Sequence, residues 1–219
     1  MKRVVVLVSG NGRNLQALLD AAQAGSLGAQ IVAVICNKAG AYALERARIA
    51  GVPAIALPHA DYASREAFDA ALAEAIEAQR PDIVVMAGFM RVVGAAFVRR
   101  FLGRMLNIHP SLLPRHPGLK THQRVLEAGE REHGATVHFV TEELDGGPCI
   151  IQGQFSVLAE DTTESLAERV MQDIEVRIYP QAVAWMARGE LELRDGRACL
   201  QGRPLAAPLT LANLEREFQ

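Results

Sequence analysis

Asn107, His109 and Asp145 are the residues of this chain best suited to chemistry, and the first two share the stretch Asn107-Ile108-His109-Pro110-Ser111-Leu112-Leu113-Pro114. Successive side chains of a strand point to opposite faces, so Asn107 and His109 emerge on the same face. Pro110 has no N–H to offer a sheet ladder, so the strand is expected to stop there, leaving both residues near its carboxyl end. That end is where open α/β sheets bind ligands. A carboxamide donates hydrogen bonds without titrating, an imidazole donates and also moves protons near neutral pH, and a carboxylate can hold the ring. Such a trio suits stabilisation of an oxyanion growing on a carbonyl under attack. The same residues also suit a polar strand end followed by a proline-rich turn, and Asp145-Gly146-Gly147-Pro148 also reads as a turn between two strands.

Two further segments fall on the same expected edge. Ser9-Gly10-Asn11-Gly12-Arg13-Asn14 joins the first strand to the first helix. Its small residues let backbone N–H groups approach a ligand, and a helix N-terminus favours an anion, most simply a single phosphate. The pattern is neither GxGxxG nor a Walker A loop, which argues against a dinucleotide or nucleoside triphosphate. A plain tight turn would use the same glycines. Ala87-Gly88-Phe89-Met90-Arg91-Val92-Val93 follows another buried strand, and its Phe and Met suit either a pocket for a flat conjugated ring or ordinary core packing. His59, His116, His122, His133 and His138 show no metal-ligand spacing, so no metal is expected.

The elements that must position these residues alternate. Strand-like, Val/Ile-rich runs at Arg3–Val8, Gln30–Asn37, Ala54–Leu57, Asp82–Ala87 and Arg104–Ile108 are continuous rather than alternating, as in strands buried on both faces. Between them, Asn14–Ala24, Ala41–Ala50, Arg65–Gln79 and Gly94–Phe101 carry apolar residues at helical spacing. The order predicts an α/β fold: a doubly wound, mostly parallel sheet with helices on both faces. Ala135–Val140 and Cys149–Val157 read as an antiparallel edge. Asp161 or Thr162 is expected to cap one long helix from Thr163 to Ala187. Asp195-Gly196 marks a short C-terminal hairpin between Leu191–Leu193 and Arg197–Leu200. Residues 1–200 are expected to form a single domain, with 201–219 a tail that is loosely held beyond Pro204.

Composition excludes several classes. The 219 residues are 50% hydrophobic, 5% aromatic and 22% charged, with a formal net charge of −2, so there is no basic footprint for nucleic acid. Cys36, Cys149 and Cys199 form no CxxC pair, which argues against a disulfide framework and suits a reducing cytoplasm. No apolar run is long enough to span a bilayer, and the apolar start is too short for a secretory signal.

The Asn107–Pro114 motif, taken with Asp145 and the glycines after it, resembles the core of the formyltetrahydrofolate-dependent formyltransferases. The opening loop Ser9–Leu15, Ala87–Arg91 and His138-Phe139-Val140 extend that resemblance to about Pro180. It implies transfer of a formyl group from 10-formyltetrahydrofolate to the primary amine of 5-phosphoribosylglycinamide, as in purine synthesis. It assigns Asn107, His109 and Asp145 as the catalytic trio. It places Gly12, Arg13, Asn14 and Glu175 on the phosphoribosyl substrate, although Arg13 stands where the family pattern has Ser. It places Arg65, Met90, Arg91, Val92, Val93 and Asn107 on the folate, with Val140–Asp145 closing over the pteridine ring. Relatives that act on an aminoacyl-tRNA carry a separate RNA-binding domain, and related hydrolases an amino-terminal regulatory domain; neither is expected here. Small-molecule partners, no nucleic acid, no membrane, and a monomer or homodimer complete the expectation.

Overall fold

A computed structural model describes all 219 residues. The first half alternates as expected: β1 (Lys2–Val8), α1 (Arg13–Ala24), β2 (Ala29–Cys36), α2 (Tyr42–Ile49), β3 (Ala54–Ala56), α3 (Arg65–Glu77), β4 (Ile83–Met86), α4 (Ala95–Arg100) and β5 (Met105–His109). These five strands pair in parallel. Next come α5 (Thr121–Glu127), β6 (Glu132–Phe139) and β7 (Cys149–Ser156), with β6 antiparallel to both β5 and β7. The seven-stranded sheet has the order β3-β2-β1-β4-β5-β6-β7.

β1 shows why the strand runs are continuous. Val4, Val6 and Val8 face one core and Val5 and Leu7 the other, and all five are inaccessible to solvent. Burying each such side chain is worth roughly 1.5–3 kcal/mol, so both faces of the sheet must be covered. α1 and α2 cover the first face, together with the helical region after β7, and α3 and α4 cover the second. Strand order reverses at β1, which neighbours β2 on one side and β4 on the other. The loops leaving β1 and β4 therefore diverge and open a crevice at the carboxyl edge.

The structure corrects three expectations. The long helix is two α-helices, α6 (Thr163–Arg169) and α7 (Val176–Ala187), joined by a wider π-turn over Val170–Glu175. Pro180 inside α7 has no N–H and its ring crowds the preceding turn, so regular i to i−4 bonding cannot run unbroken there. The cap is Thr162, whose side chain accepts from Ser165 N–H. α5 was not expected at all. The tail is not loose: Leu214 and Phe218 are buried, and Trp185 Nε1 donates to Glu215 at 2.9 Å. Ahead of it, β8 (Leu191–Arg194), β9 (Arg197–Leu200) and β10 (Arg203–Pro204) form a small sheet built on the expected hairpin. No helix is long and apolar enough to cross a membrane.

Candidate active site

The anion loop and the loop after β4 meet across the crevice through one serine. Ser9 follows β1, is buried, donates to Asn37 Oδ1 at 2.6 Å and accepts from the Met90 N–H at 2.7 Å. Gly12, just before α1, has φ 81°, and a Cβ there would lie 2.7 Å from the Ala43 side chain. Only glycine fits that conformation and that contact without strain. The resulting loop ends in the uncapped first turn of α1, which carries no acidic residue. The N–H groups there and the helix dipole favour an anion.

The π-turn carries Glu175 to that same loop. Asn14 Nδ2 donates to Glu175 Oε2 at 2.7 Å, and both residues are buried. Burial pushes the Glu175 carboxyl above its usual range, outweighing the Asn14 hydrogen bond and the Arg13 charge that pull it down. Asn14 Oδ1 is buried with no protein partner. Arg13 turns outward to pair with Glu168 of α6 and lines a separate open groove with Arg46 and Arg177.

β5 ends at His109, as Pro110 requires, and delivers Asn107 and His109 to the face opposite Leu106 and Ile108. The β5–β6 register sets His138 directly across from Asn107. The His138 Nδ1–H donates to the Phe139 carbonyl at 2.9 Å, so its Nε2 accepts from Asn107 Nδ2 at 3.2 Å. Burial lowers the proton affinity of His138, overriding Asp145, and keeps the ring in the neutral form that this contact needs. Asn107 makes no other side-chain hydrogen bond, which leaves its second amide hydrogen for a ligand.

Asp145 has φ 51°, a left-handed conformation that Asp tolerates better than most residues. Close behind it, a Cβ at Gly147 would come within 1.8 Å of the Phe139 carbonyl. The turn reading and the functional reading of Asp145-Gly-Gly are therefore compatible. Asp145 Oδ2 lies 3.4 Å from His109 Nδ1 and accepts from Gly118 N–H at 2.8 Å, while Oδ1 lies 3.7 Å from His138 Nε2. The other His109 nitrogen, Nε2, donates to the His116 carbonyl at 2.9 Å.

A small cleft of about 70 Å³ opens beside these groups, lined by Arg91, Val92, Val93, Asn107, His138 and the run Val140–Asp145. Arg91 stacks its guanidinium 4.9 Å from the Phe68 ring, and its buried Nε has no partner. Met90 spends its N–H on Ser9, projects its side chain into solvent and does not line this cleft. Arg65 lies apart, in a neighbouring groove with Asp69 and Gly94. The structure thus brings Asn107, His109 and Asp145 together, with Arg91, Val92 and Val93 beside them. Asn14 and Glu175 meet at the anion loop, and Arg13 and Arg65 line flanking grooves. No cluster of three or more His, Cys, Asp or Glu gathers as a metal site. Sequence reasoning missed His138 and Ser9 as site residues; the signal for His138 was its place on the strand pairing with Asn107.

Residues 2–183 match the family model described as formyl transferase. The phosphoribosylglycinamide formyltransferase of Escherichia coli K12 is 49% identical over 202 residues, which are 92% of this chain and 95% of that protein. The solved structure of phosphoribosylglycinamide formyltransferase from Coxiella burnetii superposes with a TM-score of 0.90 at 47% identity, covering 95% of this chain and 98% of that one. Glycinamide ribonucleotide transformylase 1 from Symbiobacterium toebii gives 0.88 at 47%, covering 91% and 94%. On a family match over most of its length and on full-length relatives of this similarity, the chain belongs to the formyl transferase family.

Proposed function

We propose that the protein transfers a formyl group from 10-formyltetrahydrofolate to the primary amine of 5-phosphoribosylglycinamide, a step of purine biosynthesis. The observation that carries the reading is the junction of two half-sites at one sheet edge. A phosphate-suited loop carrying the Asn14–Glu175 pair is tied through Ser9 to the loop after β4, whose Arg91, Val92 and Val93 line a cleft that also holds Asn107, His138 and Asp145. The family and the shared length of its relatives support it.

The residues divide the work by chemical type. Backbone N–H groups at Gly12, Arg13 and Asn14 hold the phosphate, and the acceptors of Asn14 and Glu175 hold donors on the substrate. Arg91, Val92 and Val93 form the wall for the pteridine ring. The substrate amine forms a bond to the formyl carbon, and the carbonyl electron pair moves onto oxygen. The Asn107 amide, aimed by His138, donates to that oxygen. As the carbon–nitrogen bond to the folate breaks, the proton lost by the amine must reach the departing nitrogen. His109 Nδ1 and the Asp145 carboxylate, 3.4 Å apart, are two acceptors that take up that proton and return it to the departing nitrogen, directly or through water.

Purified protein mixed with 10-formyltetrahydrofolate and 5-phosphoribosylglycinamide tests this by the ultraviolet change on loss of the formyl group. Formyl transfer to the amine is the expected result; loss of formyl to water alone, with the amine unmodified, would overturn it. Asp145→Asn is expected to bind both substrates yet lose turnover by about 100-fold or more.

A further inference from the structure

We propose that Glu130 is a positioning residue for His109, acting through the turn around His116. The proposal rests on the reading of His109 as part of the catalytic pair, and its experiment includes a readout that needs no substrate. The His109 ring is held from both sides by the segment after β5. The His116 carbonyl accepts from His109 Nε2 at 2.9 Å, and two residues later the Gly118 N–H donates to Asp145 Oδ2 at 2.8 Å. One short turn therefore fixes the proton on His109 Nε2 and orients the carboxylate that faces His109 Nδ1.

That turn needs an external anchor, because His116 carries φ 53°, in a region costly for a residue with a side chain. Glu130 supplies it with both carboxylate oxygens. Oε1 lies 3.2 Å from His116 Nε2, and Oε2 pairs with Arg115 Nη1. Glu130 is itself set by the end of α5, where its N–H donates to the Val125 carbonyl at 3.2 Å. The path runs from the Glu130 carboxylate through the His116 ring and the His116 carbonyl to His109 Nε2. Glu130 touches neither the cleft nor the anion loop, so its loss should alter the chemical step rather than binding.

The experiment compares wild type with Glu130→Ala, Glu130→Gln, His116→Asn and the Glu130→Ala/His116→Asn double variant. Steady-state kinetics is combined with nitrogen-15 NMR of the His109 ring in the free protein. Glu130→Ala is expected to lower kcat about tenfold with both KM values within about twofold, and to shift the His109 Nε2 resonance as its fixed tautomer is lost. Glu130→Gln keeps an acceptor for the His116 ring and should recover most of kcat. His116→Asn, which tolerates the left-handed conformation, should match Glu130→Ala, and the double variant should be no worse than either single change. An unchanged His109 resonance in Glu130→Ala overturns the proposal, as does a fall in kcat accompanied by equal rises in both KM values. If the protein proved to transfer no formyl group, the resonance alone would still decide the role of Glu130.

Discussion

Asn107 and His138 stand directly opposite one another on β5 and β6, and the Asn107 amide donates to His138 Nε2 at 3.2 Å. A neutral acceptor thus fixes the rotamer of the amide that the proposed mechanism sets on the oxyanion. His138→Phe removes the acceptor while keeping the bulk, and is expected to lower kcat about tenfold. His138→Gln, which presents a carbonyl, should lose less. Protonating Nε2 would replace the acceptor with a donor. Burial moves that event below the ordinary value of 6.5, so the acid limb of kcat due to His138 should lie below pH 6.5 and vanish in His138→Gln. A pH–rate profile of the two proteins checks this.

His133 is fully buried and lies 2.8 Å from His122, and its proton affinity is lowered to about 4, chiefly by desolvation. The unfolded chain binds a proton near 6.5, so between these values the unfolded state holds more protons. Stability must then fall on acidification from pH 6.5 toward 4, by about 3 kcal/mol for this group over the full window. Urea unfolding at a series of pH values should show that slope, and His133→Phe should flatten it.

Glu175 is raised above its usual range by burial, so the folded state favours its neutral form. A raised acid contributes stability below its unfolded value and withdraws it as pH rises. Glu175→Gln is therefore expected to melt at a higher temperature than wild type at pH 7, while KM for the phosphoribosyl substrate rises. That opposition of stability and function is characteristic of a binding carboxylate. Thermal melts and substrate titrations on the same preparation measure both.

Gly12→Ala must adopt φ near 81° and press a methyl group against Ala43 at 2.7 Å. It is expected to cost about 1–3 kcal/mol of stability. Displacing the loop should also weaken affinity for the phosphoribosyl substrate at least tenfold, with little change in affinity for the folate. Separate equilibrium titrations with each ligand distinguish a local from a global effect.

Much of this arrangement is legible in the sequence because local rules and the fold agree. β1, β2 and β4 are largely apolar on both faces, and Pro110 marks where β5 stops. The Asp195-Gly196 turn is equally readable, and the helix cap is narrowed to Asp161 or Thr162, of which the structure uses Thr162. α5 escaped notice because Thr121–Glu127 is short and mostly polar, and starts from Lys120 in a left-handed conformation with no side-chain cap. The π-turn is hidden among good helix formers, and only Pro180 hints at it. His138 is 31 residues from Asn107, so its role depends on strand register that no local pattern supplies. Leu214 and Phe218 sit singly among polar residues, and only tertiary packing reveals that they are buried.

The segment after the small sheet does more than fill a surface. β7 is the outer strand of the large sheet, and Leu209 pairs with it: Leu209 N–H donates to the Ile150 carbonyl, and Gln152 N–H donates to the Leu209 carbonyl, each at 2.8 Å. An uncovered edge strand offers its free N–H and C=O groups to any other strand it meets. The same carboxyl-terminal segment that buries Leu214 and Phe218 therefore also occupies backbone groups on the outer strand of the sheet.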